Sequence, residues 1–355
     1  MLRINRNIQI VNFVHIEDTN MNESYQIIDD DPAVWCSAQL ESKKDVLLPV
    51  SDEQIEAFRY HLSAMEDRPS EAFNTSDFSF EEITILQESI HQRLTEGRGV
   101  VVVSGIPREM FTDSALHHLF WGIGTGLGRP VVQNSQGHRI GHVRNEKNNP
   151  NNRGYMSNRE LGFHSDAFEV VGLMCLRGAA SGGLTQIVSG LAIYNQMLRE
   201  KPELLDDLFE GYYYATAERS SSKLPYTSYK IPIFSKMSSR VSSMCLGAYM
   251  RAAAKLQGLA LPDALDAGLH AFYEICNRPE FRLEFMLEPG EILFLNNYTT
   301  LHSRTEFQDD ALNQRHLLRL WIELSDGRPV VPALTARGRD YEQLFLETRL
   351  VSTAT

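Results

Sequence analysis

From about residue 160 onward the chain is written in short apolar runs separated by turn residues, and that texture leaves few folds open. Val170–Leu176 reads as a strand, and Gly182-Gly183 marks a turn after it. Between Phe285 and Leu295 the reading is strand, turn, strand. There Glu288-Pro289-Gly290-Glu291 puts Pro and Gly at the two central positions of a type II turn. Residues 315–324, RHLLRLWIEL, form a final core strand. The earlier part of the chain is helical. Ser79 followed by Glu82 has capping-box spacing, and Ile83, Leu86, Ile90 and Leu94 then recur at helical period until Gly97 and Gly99 stop them. Val100–Val103 is a β-branched run expected to be buried on both faces. Residues 113–121 predict a helix capped by Asp113 or Ser114, Leu191–Leu198 predicts another, and Pro202 opens the next. Helices first and many short strands after them predict a mainly β fold with flanking helices, an antiparallel sandwich or barrel. Without repeats or a linker, residues 51–355 read as one domain. Residues 1–50, irregular and carrying the acidic run Asp29, Asp30, Asp31, read as an extension packed on it.

Composition narrows the function. The chain has 355 residues, 43% hydrophobic and 23% charged, with a net charge of −12. That is too apolar for disorder, and without a basic block it argues against nucleic acid as a partner. No apolar stretch is long enough to span a bilayer, and the N-terminus lacks a secretory apolar region. Cys36, Cys175, Cys245 and Cys276 lie far apart, so they read as free thiols in a reducing cytoplasm rather than as disulfides or a zinc ribbon. The glycines of Gly122-Ile123-Gly124-Thr125-Gly126-Leu127-Gly128 alternate and follow a helix, which fits a flexible turn better than a dinucleotide loop.

Three constellations carry chemistry. His164-Ser165-Asp166 is an H-x-D triplet, which on an extended strand turns an imidazole and a carboxylate to the same face. His302 follows the apolar strand that ends near Asn296. Two histidines and one carboxylate are the facial triad of non-haem Fe(II) oxygenases, which leaves open positions for co-substrate and O2, whereas zinc favours a closed tetrahedral site. Arg315 and Arg319 lie on one face of an otherwise apolar strand, and a buried guanidinium calls for an anion. Each piece taken alone also fits a surface strand or an internal salt bridge.

In this order, H-x-D, a distal histidine and an arginine thirteen positions beyond it resemble the Fe(II)/2-oxoglutarate-dependent dioxygenases of the taurine dioxygenase/TfdA group. Gly182-Gly183-Leu184-Thr185 and the Pro289-Gly290-Glu291 turn extend the resemblance, which covers roughly residues 95–330. It implies a double-stranded β-helix, or jelly roll, with iron held by His164, Asp166 and His302. It also implies 2-oxoglutarate met by Thr185 and Arg315, and a primary substrate near Arg319. Tyr155 and Asn158 precede the H-x-D motif and are expected to face substrate, while His138 and His142 are expected to stand outside the ligand set. The implied reaction consumes O2 and 2-oxoglutarate, releases succinate and CO2, and oxidises an unactivated C–H bond of a small, anionic or amino-acid-like molecule. Hydroxylation is the usual outcome, with desaturation and ring closure as alternatives. Asp166 in the second motif position argues against halogenation, which needs that coordination site for halide. Two rivals are a non-catalytic metal-binding barrel, which leaves the Arg315/Thr185 pair unexplained, and a divalent-metal hydrolase or isomerase, which predicts activity without O2 and a need for Zn or Mn rather than Fe(II). Self-association stays open.

Overall fold

Alternate residues of the His316–Glu323 strand belong to two different cores, and this division organises the molecule. Leu318, Leu320 and Ile322 pack outward with Val101, Val103, Val170, Met174, Ile292 and Phe294 against helices. Leu317 and Trp321 turn inward with Val100, Val102, Val171, Cys175, Leu293 and Leu295. Period-2 alternation with both faces buried explains why these strands carry almost no polar residues.

The computed structural model describes residues 25–40, 42–65, 68–134, 136–146, 154–216 and 225–353. The larger sheet runs Leu47–Pro49, Val100–Ser104, Ile292–Asn296, Val170–Arg177, His316–Glu323 and Arg129–Pro130, with Gly141–Arg144 also pairing on His316–Glu323. All its pairings are antiparallel except the first. A smaller antiparallel sheet runs Arg282–Phe285, Thr185–Ser189, Thr300–Arg304 and Leu161–His164. The two face each other across a core to which Ile187, Leu283 and Phe285 contribute from the smaller sheet. They form an open two-sheet jelly roll and not a closed barrel.

The helices cover the outer faces. Asp52–Ser63, Glu81–Thr95 and Asp113–Leu127 lie on the larger sheet. Gly190–Glu200, Gly247–Leu256 and Asp263–Cys276 bury a second apolar cluster beside the smaller one.

Several local expectations need correction. Ser79 does not cap the helix that follows, because its hydroxyl donates to the Ser76 carbonyl at 2.9 Å and the N-cap of Glu81–Thr95 is Phe80. The next helix is capped by Thr112, whose hydroxyl accepts from the Ala115 N–H, rather than by Asp113 or Ser114. The glycine run is not a turn: Gly122, Gly124 and Gly126 lie inside Asp113–Leu127 and only Gly128 ends it. Close packing explains them, since a Cβ on Gly122 would sit 2.3 Å from the Phe78 ring and one on Gly126 2.1 Å from the Gln87 amide. The Pro289-Gly290 turn does form, with Glu291 N–H on the Glu288 carbonyl at 3.0 Å and Gly290 at φ 92°. It joins two different sheets rather than closing a hairpin.

Candidate active site

His302 lies within the Thr300–Arg304 strand, not past a strand end, and it pairs directly across with His164, the last residue of Leu161–His164. The two rings stand 4.3 Å apart between centroids. Asp166 lies two residues beyond the end of the Leu161–His164 strand, outside its ladder. The Asp166 N–H is held by the Asn297 side chain at 3.0 Å, and its carbonyl by Arg337 Nη1 at 3.1 Å. One ligand atom from each of His164, Asp166 and His302 lies within 4.8 Å of the others. His302 Nε2 is 3.8 Å from Asp166 Oδ2.

The protonation states suit a cation. Burial, with His164 nearby, pushes His302 down to about 3, so at neutral pH it is an uncharged imidazole with a free lone pair. His164 Nδ1 lies 2.9 Å from the Gly162 carbonyl, which can only accept, and this leaves Nε2 as the ring atom available to a metal. Burial pushes Asp166 up, but Arg319, with Nη1 4.0 Å from the carboxylate, outweighs it together with the imidazoles and holds the group below its ordinary value. His302 Nδ1 is buried without a hydrogen-bond partner. Two imidazoles and a carboxylate converging on one point fit Fe(II).

The triad opens on a cavity of about 910 Å³. At one end lie Thr185, buried, and Arg315, only 7% exposed with Nη1 unpartnered. Burial brings Arg315 down to about 10, still charged at neutral pH. A buried cation with an unsatisfied donor fits the far carboxylate of a 2-oxo diacid. Beside Asp166 sits Arg319, stacked between Tyr155 and Trp321 at 4.5 and 4.2 Å, with Nε donating to Gln133 at 2.7 Å. Tyr155 lines the cavity. Asn158 does not line it: its side-chain amide donates to the Phe307 carbonyl at 3.2 Å, and the Phe307 N–H returns to the Asn158 carbonyl. His142 Nδ1 contacts His316 Nε2 at 2.9 Å, and both His138 and His142 stand outside the triad.

Sequence reading missed three lining guanidinium groups, those of Arg251, Arg304 and Arg337. Arg304, two residues past His302, shares its face by strand alternation, a signal present in the sequence. Arg337 comes from the C-terminal helix Pro332–Thr353, and no local pattern announces it.

The profile of the taurine catabolism dioxygenase TauD, TfdA family matches residues 66–321. This chain belongs to that family. It is a non-haem Fe(II)- and 2-oxoglutarate-dependent dioxygenase. FR-33289 synthase of Streptomyces rubellomurinus is 31% identical over 254 residues, 69% of this chain and 74% of that protein. The taurine hydroxylase-like protein SAT17 of Stachybotrys chartarum is 26% identical over 322 residues, 84% of this chain and 80% of that protein. Among solved structures, an asparagine oxygenase bound to Fe(II), 3-hydroxyasparagine and succinate superposes with a TM-score of 0.62 at 16% identity, covering 78% of this chain and 93% of that one. The iron oxygenase OrfP bound to (3S)-hydroxy-L-Arg gives 0.61 at 15% identity, with 78% and 93% covered. These structures show the shared fold. Arg337 lies beyond the segment matched by the family profile. No described helix is long and apolar enough to cross a membrane.

Proposed function

We propose that this dioxygenase hydroxylates an unactivated C–H bond of a small anionic or amino-acid-like molecule, with His164, Asp166 and His302 as iron ligands, Arg315 and Thr185 on the co-substrate and Arg319 on the substrate. The observation that carries the reading is the convergence of the three ligand atoms within 4.8 Å on the wall of a cavity that also exposes an unpartnered Arg315 donor. Iron(II) at the triad, with 2-oxoglutarate and O2, supplies an oxidant able to break a C–H bond while 2-oxoglutarate becomes succinate and CO2.

The chain's own residues orient and exclude. Asn297 and Arg337 fix both ends of the Asp166 backbone, so its carboxylate is pre-aimed. Leu173, Leu317, Phe163 and Trp321 line the cavity and keep water from the reacting centre. Tyr155 and Trp321 clamp the Arg319 plane, which suits it to hold a carboxylate or another oxyanion in one orientation. Among the described lining residues, Glu160 is an exposed acid on the same cavity and can meet a substrate ammonium. The hydroxy-amino acids bound by the asparagine oxygenase and OrfP structures support an amino-acid-like substrate. Four free cysteines, three of them buried, support a reducing cytoplasmic setting.

The test is a succinate-release screen over small acids and amino acids with Fe(II), ascorbate and 2-oxoglutarate under air. A substrate that stimulates succinate release and gains oxygen supports the reading. Turnover that proceeds without O2, or with Zn(II) in place of Fe(II), would overturn it.

A further inference from the structure

Two buried guanidinium groups share one aromatic ring at the co-substrate end of the cavity. Arg304 Cζ lies 4.7 Å and Arg315 Cζ 5.2 Å from the centroid of Phe307. The two residues are 6% and 7% exposed. Neither has a carboxylate within ion-pairing distance among the described residues; Asp309 accepts only from the Arg315 backbone N–H, at 2.8 Å. Arg304 Nη2 donates to the Ser157 and Arg159 carbonyls, which carry no net charge. Among the described residues, Arg304 Nε and Arg315 Nη1 are each buried with no hydrogen-bond partner.

Two like charges held this close in a buried site repel one another, and unsatisfied donors there cost still more. The arrangement is therefore incomplete without an anion. Arg304 pairs in register across from Thr185, which places it against the same strand residue as the co-substrate end.

We propose that Arg304 is a second cationic arm of the co-substrate clamp, so that the distal carboxylate of 2-oxoglutarate sits between Arg304 and Arg315 beside Thr185. The clamp then discriminates strongly for 2-oxo diacids over 2-oxo monoacids, because a monoacid leaves both guanidinium groups uncompensated. The Phe307 ring supports both cations through its π-face and fixes their spacing. This inference rests on the assignment of Arg315 and Thr185 to the co-substrate.

The experiment uses the full chain loaded anaerobically with Mn(II). Binding of 2-oxoglutarate is measured by calorimetry, and that of 2-oxobutyrate, which lacks the distal carboxylate, by competition. The variants are Arg304→Gln, Arg304→Lys and Arg315→Gln. Arg304→Gln is expected to weaken 2-oxoglutarate about tenfold or more while changing 2-oxobutyrate affinity by less than about threefold, and Arg304→Lys to recover much of the loss. An Arg304→Gln protein that binds 2-oxoglutarate as wild type does, or loses both ligands equally, overturns the proposal. Equal loss would mean that Arg304 acts only by tethering the Ser157 and Arg159 carbonyls. If Arg315→Gln also leaves 2-oxoglutarate binding intact, the assignment of this end to the co-substrate has failed. If only Arg315→Gln weakens it, the failure is confined to Arg304. Should Arg304→Gln not fold, the lysine variant decides: it keeps the charge, so 2-oxoglutarate is expected to bind within about threefold of wild type, and a loss of about tenfold or more with the cation still present overturns the proposal.

Discussion

Replacing Glu169 with glutamine should make the protein more stable at pH 8 and leave it nearly unchanged at pH 5. Glu169 follows the H-x-D turn and is 7% exposed. One carboxylate oxygen accepts from the Arg328 N–H at 2.7 Å and from Asn296 at 3.4 Å. Burial outweighs these bonds and pushes the carboxyl up from 4.5 to about 7. The folded state therefore prefers the neutral acid. Between those two values it binds more protons than the unfolded chain, so stability falls as pH rises through about 7. The rise from 4.5 to about 7 corresponds to about 3 kcal/mol of lost stability above pH 7. Glutamine keeps the shape and an acceptor while removing the charge. For a chain of this size the gain corresponds to a rise in Tm of about 4 °C at pH 8, against about 1 °C at pH 5. Thermal unfolding of both proteins by circular dichroism across this range measures the difference, and comparing them cancels every other titrating group. A variant whose advantage is the same at both pH values, or which is the less stable at pH 8, would falsify this account of Glu169.

His164→Ala, Asp166→Ala and His302→Ala should each abolish succinate release and the weak absorption band expected on anaerobic addition of Fe(II) and 2-oxoglutarate. Their circular dichroism should match wild type, since the apolar core does not depend on the metal. Arg319→Leu should mainly weaken the primary substrate, raising its KM, and change 2-oxoglutarate binding much less than Arg315→Leu does; equal losses in calorimetry would mean one shared clamp. Gly122→Ala should destabilise the fold by about 1–2 kcal/mol despite alanine's better helix propensity, because the Phe78 ring stands where the new methyl must go; denaturant unfolding with a higher midpoint would contradict it. Arg337→Gln should lower kcat while leaving 2-oxoglutarate affinity near wild type, because it frees the Asp166 carbonyl and removes a cation from the substrate side of the cavity.

The site was more legible in the sequence than the architecture around it. His164, Asp166 and His302 stood out in the sequence as two histidines and a carboxylate, and Arg319 as a cation in an apolar strand, whereas Thr185 and the role given to Arg315 came only with the family resemblance. Residues 170–176, 292–296 and 316–323 were recoverable as strands because both their faces are buried, which leaves an unbroken apolar run. The 288–291 turn follows directly from the backbone limits of Pro and Gly. Tertiary structure decided what no local rule contains. Helix caps moved by one or two residues because competing partners were nearer, as with Ser79 on the Ser76 carbonyl. The glycines of Asp113–Leu127 resemble a turn in sequence, and only the Phe78, Leu320 and Gln87 side chains packed against them make a helix the better state. Asn158 looks like a site residue until the strand holding Phe307 claims its amide. Arg337 enters the site only because the C-terminal helix folds back over Asp166. Local sequence fixes which backbone conformations and which chemical groups are available. Which groups meet depends on contacts between residues far apart in the chain, and those contacts form only once the two sheets have closed on each other.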